Sequence, residues 1–431
     1  MTSRPRLLGL GAIALTIAIA ATAAAASTRS SSTRAATPSF QLRIGTIMPF
    51  TGDLSAVGPS LNAAVQLGVD TINQTLTRLG LSNSISVDLV DSQDDQTQTQ
   101  PAIEAATKEV KVDKVDVIVG TLSSTSTIAM AQGVTIPNDV VVISPTASAP
   151  QITNLKDNNT VWRVLPSDTF QGRALAAAGA TVFGRHATVN VGARNDDFGT
   201  ALQALFIKTW KARGGKIGAS VNWDPNGTTF DTEAQKLVSG NPAGWVIIDY
   251  PQTFAKMGPA LVRTGKWSPS KTLMTDVMSV PASLKQVGRQ ATVGLRGTAP
   301  ASLAPTYPQV SAFAKLFKKK ESKFPATGYE GLSFDATILS FLAALQGHSA
   351  SPNAIKANLR SISGPPGIKV TYLNLAQAIK DILAGKQIDY QGVFGPVDYD
   401  SHGDVGSAIF KIWKYDGKTV STIKEFTYSS Q

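Results

Sequence analysis

The sequence predicts an α/β protein of two doubly wound parallel-sheet lobes. Three observations predict it. Short β-branched runs alternate with amphipathic helical stretches through residues 42–143, and the same alternation starts afresh at residue 188. Strands separated by helices form βαβ units, whose parallel sheet is covered on both faces. The chain of 431 residues is also long enough for two cores of ordinary size.

In the first set, residues 42–48 form an apolar run stopped by Pro49, which reads as a strand. Leu61, Val65, Gly68, Ile72, Leu76 and Leu79 follow at the three-and-four spacing of an amphipathic helix. Residues 85–90 alternate as a strand, 102–112 read as a helix, and 115–119 as a buried strand ending at Gly120. Residues 124–132 can form a helix and 140–143 another strand. In the second set, strands are predicted at 188–191, 216–221, 246–248 and 273–274. Helices at 174–183, 200–213, 232–238 and 254–264 separate them. Helical periodicity returns at 331–345, and 392–400 reads as strand and turn.

The N-terminus reads as an export signal: Arg4 and Arg6, an apolar run over 7–26, and small residues at Ala24-Ala25-Ala26. Cleavage is expected before Ser27, leaving a polar linker over 27–40; the alternative is a retained anchor. The chain has no cysteine, which excludes disulfides, thiolate metal sites and a lipid-modified N-terminal cysteine. A periplasmic or secreted location is expected. The net charge is +10, and removal of Arg4 and Arg6 with the signal leaves +8. The dense cationic cluster, Lys318-Lys319-Lys320, shares a helix with Phe313, Leu316 and Phe317, so it reads as a solvated helix face rather than a nucleic-acid site.

No catalytic constellation emerges. His186, His348 and His402 are scattered without zinc-ligand spacing. No G-x-S-x-G elbow accompanies the serines, and no G-x-G-x-x-G opens a helix after residue 26. Gly52 and Gly58 are followed by Pro59 where a phosphate loop needs lysine. Asp91, Asp94 and Asp95 miss the spacing of a calcium loop and are expected to cap and charge the helix starting near Thr97. The chain is therefore expected to be neither an enzyme nor a holder of a cofactor or metal.

Ligands of open α/β sheets bind beyond the carboxyl ends of the strands. Two hydroxyl-rich loops stand there: 120–127, running Gly-Thr-Leu-Ser-Ser-Thr-Ser-Thr, and 144–148, running Ser-Pro-Thr-Ala-Ser. Together they suit an anion such as a carboxylate; singly, Ser124 reads equally as a helix N-cap.

The order of these segments resembles the branched-chain-amino-acid and amide class of type I solute-binding proteins. Residues 44–52 (IGTIMPFTG) are similar to that family's first strand and its P-x-T-G loop. Residues 115–127 resemble its SS-x-S-T segment, 143–150 its ISP-x-A-T-x-P segment, and 388–400 (IDYQGVFGPVDYD) its ending. The resemblance runs from about residue 42 to 417. It implies two lobes joined by a three-segment hinge: 41–167 with 299–406, and 168–298 with 407–431.

It also implies a ligand site. The ligand carboxylate would meet Ser124 of the first loop and Thr146 and Ser148 of the second, with Leu122 also among the ligand-binding residues. Phe198, standing where relatives carry tyrosine, and Tyr250 would face it from the second lobe, with Tyr329 from the first. Asp276 would receive an ammonium. A zwitterion would then be held at both ends in a cleft that closure dries, which strengthens charged contacts. The implied function is capture of a small amino-acid-like solute by a monomer and delivery to the permease subunits of an ABC importer, with no nucleic-acid partner. Alternatives are a ligand-sensing receptor module, or a binder of amides, urea or aromatic acids.

Overall fold

The computed structural model describes residues 38–324 and 327–429. The export signal and most of the linker expected before residue 40 lie outside the described residues. The first set of elements comprises β1 (Phe40–Met48), α1 (Gly58–Arg78), β2 (Ile85–Asp94), α2 (Thr99–Lys111) and β3 (Val117–Gly120). It continues with α3 (Ser124–Met130), β4 (Val141–Ser144), α4 (Pro150–Thr153) and β5 (Val161–Arg163). Its five strands lie in the order β2-β1-β3-β4-β5, all parallel. The chain order reverses between β1 and β3, and at such a switch point the loops after the two strands part to leave a crevice.

The second set runs α5 (Asp168–Val182), β6 (Thr188–Arg194), α6 (Asp197–Ala212), β7 (Lys216–Trp223), α7 (Asp231–Leu237) and β8 (Gly244–Ile248). Then come α8 (Pro251–Arg263), β9 (Thr272–Met274), α9 (Pro281–Val287), α10 (Arg289–Thr292) and β10 (Arg296–Pro300). The chain next returns to the first lobe with α11 (Pro308–Lys320), α12 (Glu330–Gln346), α13 (Pro352–Asn358), β11 (Ile368–Val370), α14 (Leu375–Leu383) and β12 (Ile388–Tyr390). It ends with β13 (Ser407–Tyr415) and β14 (Val420–Ser429) on the second sheet. That sheet is ordered β14-β13-β10-β9-β8-β6-β7, with its switch point at β6 between β7 and β8.

The fold is thus a two-lobed α/β structure with parallel-dominated sheets, and the chain passes between lobes after β5, after β10 and before β13. The second sheet is not wholly parallel, because β13 runs antiparallel to β10 and β14 antiparallel to β13. The strand-helix alternation gave no sign of this hairpin. The predicted strand at 392–400 does not form; the segment makes the isolated bridges Gln391–Pro396 and Tyr399–Val405. Its reason for folding tightly is Asp335 of α12, a buried carboxylate that accepts hydrogen bonds from Tyr390 Oη at 2.8 Å and from the N–H groups of Val393 and Phe394. Burial lifts its pKa to about 7 against these bonds.

The first lobe is closed by α12, buried along its whole length and packed on α1, β3 and β4. The α1–α12 approach needs Gly68, since a Cβ there would stand 2.8 Å from Thr337 Cβ. Asp91, Asp94 and Asp95 depart from the expected cap. The cap residue of α2 is Gln98, which makes no side-chain cap bond. Asp94 instead accepts from the N–H groups of Phe50 and Thr51 and from Thr51 Oγ1, shaping the turn after β1.

Candidate functional site

The loops that follow β1, β3 and β4 in one lobe and β6, β8 and β9 in the other enclose a single cavity. Leu54, Val57 and Leu61 form an aliphatic wall, continued by Leu122 and Val277. Phe198, Tyr250 and Tyr329 supply aromatic faces, and Thr146, Ser148 and Asp276 the polar groups. Seven of the eight residues named from the sequence therefore meet in one place: Leu122, Thr146, Ser148, Phe198, Tyr250, Asp276 and Tyr329. The eighth, Ser124, is buried behind the lining.

Ser124 is not the N-cap of α3. That residue is Ser123, whose hydroxyl accepts from Ser126 N–H at 3.4 Å. The Ser124 hydroxyl instead accepts from the N–H groups of Ser148 (3.2 Å) and Ala149 (3.1 Å), which fastens the second loop to the first. Thr146 Oγ1 donates to the Leu122 carbonyl at 3.0 Å, and Ser148 Oγ donates to Asp168 at 3.0 Å. The two hydroxyl-rich loops are thus braced against each other, and their side chains have protein partners. The glycine that ends β3 makes the start possible: Gly120 has φ of +143°, and a Cβ would sit 2.2 Å from the Ile47 carbonyl oxygen.

The aromatic wall is equally ordered. Phe198 opens α6 and stacks on Tyr250, with ring centroids 5.0 Å apart and planes 14° from parallel. The far face of Tyr250 lies over the Arg194 guanidinium, 4.0 Å from centroid to Cζ. Tyr329 stacks on Phe394 at 6.3 Å. Phe198 has no hydroxyl, and its ring alone makes this contact.

Asp276 follows β9 at the start of a short 3-10 turn and keeps part of its surface open to the cavity. Burial raises its pKa, opposed by nearby backbone N–H groups. Among the described residues it has no lysine, arginine or histidine within ion-pair distance.

A second carboxylate stands close by. Asp168, the first residue of α5, is fully buried, and its pKa is pushed up to about 8 by burial and then by the charge of Asp276, with Ser148 and Arg163 opposing. One of its oxygens, Oδ1, has no hydrogen-bond partner, and neither does the Gln171 amide nitrogen one turn on. Sequence reasoning missed both, since each lies in a helical first turn with no loop motif to mark it. The signal present was an acid at the first position after Ser167, which reads as a helix start.

A cavity between two lobes, with a wall from each, is the place where a two-lobed solute-binding protein holds its solute. The chain belongs to the periplasmic binding protein family, whose pattern it matches over residues 41–402. This is an extracytoplasmic family that binds small molecules and works with ABC transporter permeases. The chain is 23% identical over 368 residues to the chemotactic signal transduction system substrate-binding protein BasB of Halobacterium salinarum, covering 82% of each chain. Its fold is similar to that of a leucine-binding protein from Thermotoga maritima, with 21% identity, a TM-score of 0.72, and coverage of 89% of this chain and 98% of that one. It is also similar to a solute-binding protein of an ABC transporter from R. palustris solved with benzoate, with 16% identity, a TM-score of 0.70, and coverage of 89% and 96%.

Proposed function

We propose that this protein captures a small solute carrying an ammonium group and an aliphatic side chain, an amino acid of the branched-chain kind, and hands it to an ABC importer. The observation that carries this reading is Asp276: it lines the cavity with no cationic partner from the described residues, and Asp168 stands behind it. The Asp276 carboxylate in a drying cleft favours a cation, and the same charge that lifts the Asp168 pKa opposes a bare carboxylate. The aliphatic wall of Leu54, Val57, Leu61 and Leu122 suits a branched hydrocarbon chain. The aromatic faces of Phe198, Tyr250 and Tyr329 add favourable quadrupole contacts to an ammonium.

Calorimetric titration with L-leucine and with benzoate tests the reading. Breaking one partner of a desolvated charge pair costs about 3–5 kcal/mol, so Asp276→Asn should lose roughly two to three decades or more of leucine affinity. Benzoate should gain from the same change. Equal leucine affinity in parent and variant would defeat the amino-acid assignment and leave the binding-protein assignment standing.

A second reading follows from the similarity to the chemotactic protein of Halobacterium salinarum. There the closed form would be read by a membrane receptor instead of a permease. A gene deletion separates the two: loss of solute uptake supports transport, and loss of taxis with uptake intact supports sensing.

A further inference from the structure

We propose that Asp53 and Arg194 form a latch across the mouth of the cleft, and that it sets ligand affinity without touching the ligand. This concerns the equilibrium between open and closed lobes and holds for any class of solute.

Asp53 stands in the turn after β1, in the first lobe. Arg194 is the last residue of β6, in the second. Arg194 Nη1 lies 2.8 Å from Asp53 Oδ2, and the same oxygen accepts from Thr253 Oγ1 at 3.0 Å, near the start of α8. Beside them Thr125 Oγ1, from the first lobe, accepts the N–H of Asp197 at 3.1 Å, the first residue of α6. Neither Asp53 nor Arg194 lines the ligand cavity. They line the adjoining polar mouth, together with Gln98, Thr125, Asn195 and Asn226.

The arginine is arranged within its own lobe. Asp196 accepts from its Nε, Asp249 lies 3.9 Å from Nη1, and the Tyr250 ring covers its face. Asp196 is itself fixed as the N-cap of α6, accepting from Gly199 N–H at 2.8 Å. The guanidinium is therefore positioned whether or not Asp53 is present, and the cost of ordering on closure falls on one short side chain. Asp53 keeps 20% of its side chain exposed, so water can replace its partners when the lobes part. Tyr250 touches Arg194 on one face and lines the cavity, linking the latch to the ligand wall. The apparent dissociation constant equals the intrinsic one divided by the fraction of closed protein, so a weaker latch weakens every ligand by the same factor.

The chain has no cysteine, so a pair of spin labels can be placed at Gln100→Cys and Asn226→Cys, exposed positions on opposite lobes. Pulsed electron resonance on exhaustively dialysed protein then reads the distance across the mouth. The expected result is a short-distance population in the parent that Asp53→Asn reduces about fivefold or more, the scale of one partly exposed ion pair with a hydrogen bond. Asp53→Glu, which keeps the charge, should retain it. Unfolding midpoints of the three proteins followed by circular dichroism should agree, which separates closure from folding. Absence of the short population in the parent, or its persistence in Asp53→Asn, overturns the proposal.

Discussion

Arg163 and Arg194 each end a strand, β5 and β6, each is nearly sealed from solvent, and each faces aspartate. Arg163 binds within the first lobe. Its Nε and Nη2 meet the two oxygens of Asp404 at 2.7 and 2.9 Å, Nη2 also donates to Thr153 Oγ1, and Nη1 donates to the Ala149 carbonyl. It thereby joins the chain just before its first crossing to the chain just before its last. Arg194 binds across the lobes, to an aspartate that keeps contact with water. A permanent pair can be dry, because its desolvation is met once, on folding. A pair that breaks whenever the lobes open must have one member that water can reach.

The largest effect should come from the hinge-side pair. Arg163→Met leaves Asp404 facing Thr153 without its cation, and should lower the unfolding free energy by about 3–5 kcal/mol in urea denaturation. A loss below about 1 kcal/mol would mean that the two arginines do not differ in this way.

Next is Ser124→Ala, which removes the acceptor for two buried N–H groups, those of Ser148 and Ala149. At about 1–3 kcal/mol for an orphaned buried donor, a stability loss near 2 kcal/mol is expected. The loop remains held on its other side by Arg163 through the Ala149 carbonyl, so hydrogen exchange should quicken at Ser148 and Ala149 first. Uniform quickening across the lobe would show that Arg163 does not hold the loop.

The third effect is a drift with pH rather than a fixed loss. The Arg163 charge is engaged by Asp404, so it offsets the burial of Asp168 only in part, and the pKa of Asp168 stays near 8. A carboxyl whose folded pKa is raised binds its proton more tightly folded than unfolded, so its contribution to stability falls as pH rises from about 4 to about 8 and then levels. Asp168→Asn, which can still accept from Ser148, removes that drift. The gap between the two urea midpoints should widen through this window; a constant gap would place the titration elsewhere.

Much of the fold was legible in the chain because a buried parallel strand and an amphipathic helix each carry their own period. The strands at 42–48, 85–90 and 188–191 lie within β1, β2 and β6. The hairpin of β13 and β14 was not legible, since β14 is an edge strand exposed at most positions and has no continuous apolar run to announce it. At the site, Thr146 and Ser148 stood out by their place after a strand, which the alternation supplies, while Asp276 was implied by the family resemblance. Asp168 did not, because its part depends on Ser148 and Asp276, 20 and 108 residues away in the chain.

The sequence by itself determined the two-lobed α/β plan and the loops that could meet a ligand, because side-chain period and strand-end position are local properties. Only the tertiary structure decided what each hydroxyl and charge does. Ser124 lies near Thr146 and Ser148 in the fold and reads like them in the sequence, yet it accepts two N–H groups behind the wall while they face the cavity. Which arginine is frame and which is latch was likewise invisible in the chain. The distinction rests on whether the partner aspartate, Asp404 or Asp53, sits on the same side of the cleft, and that separation is set by the packing of the two lobes.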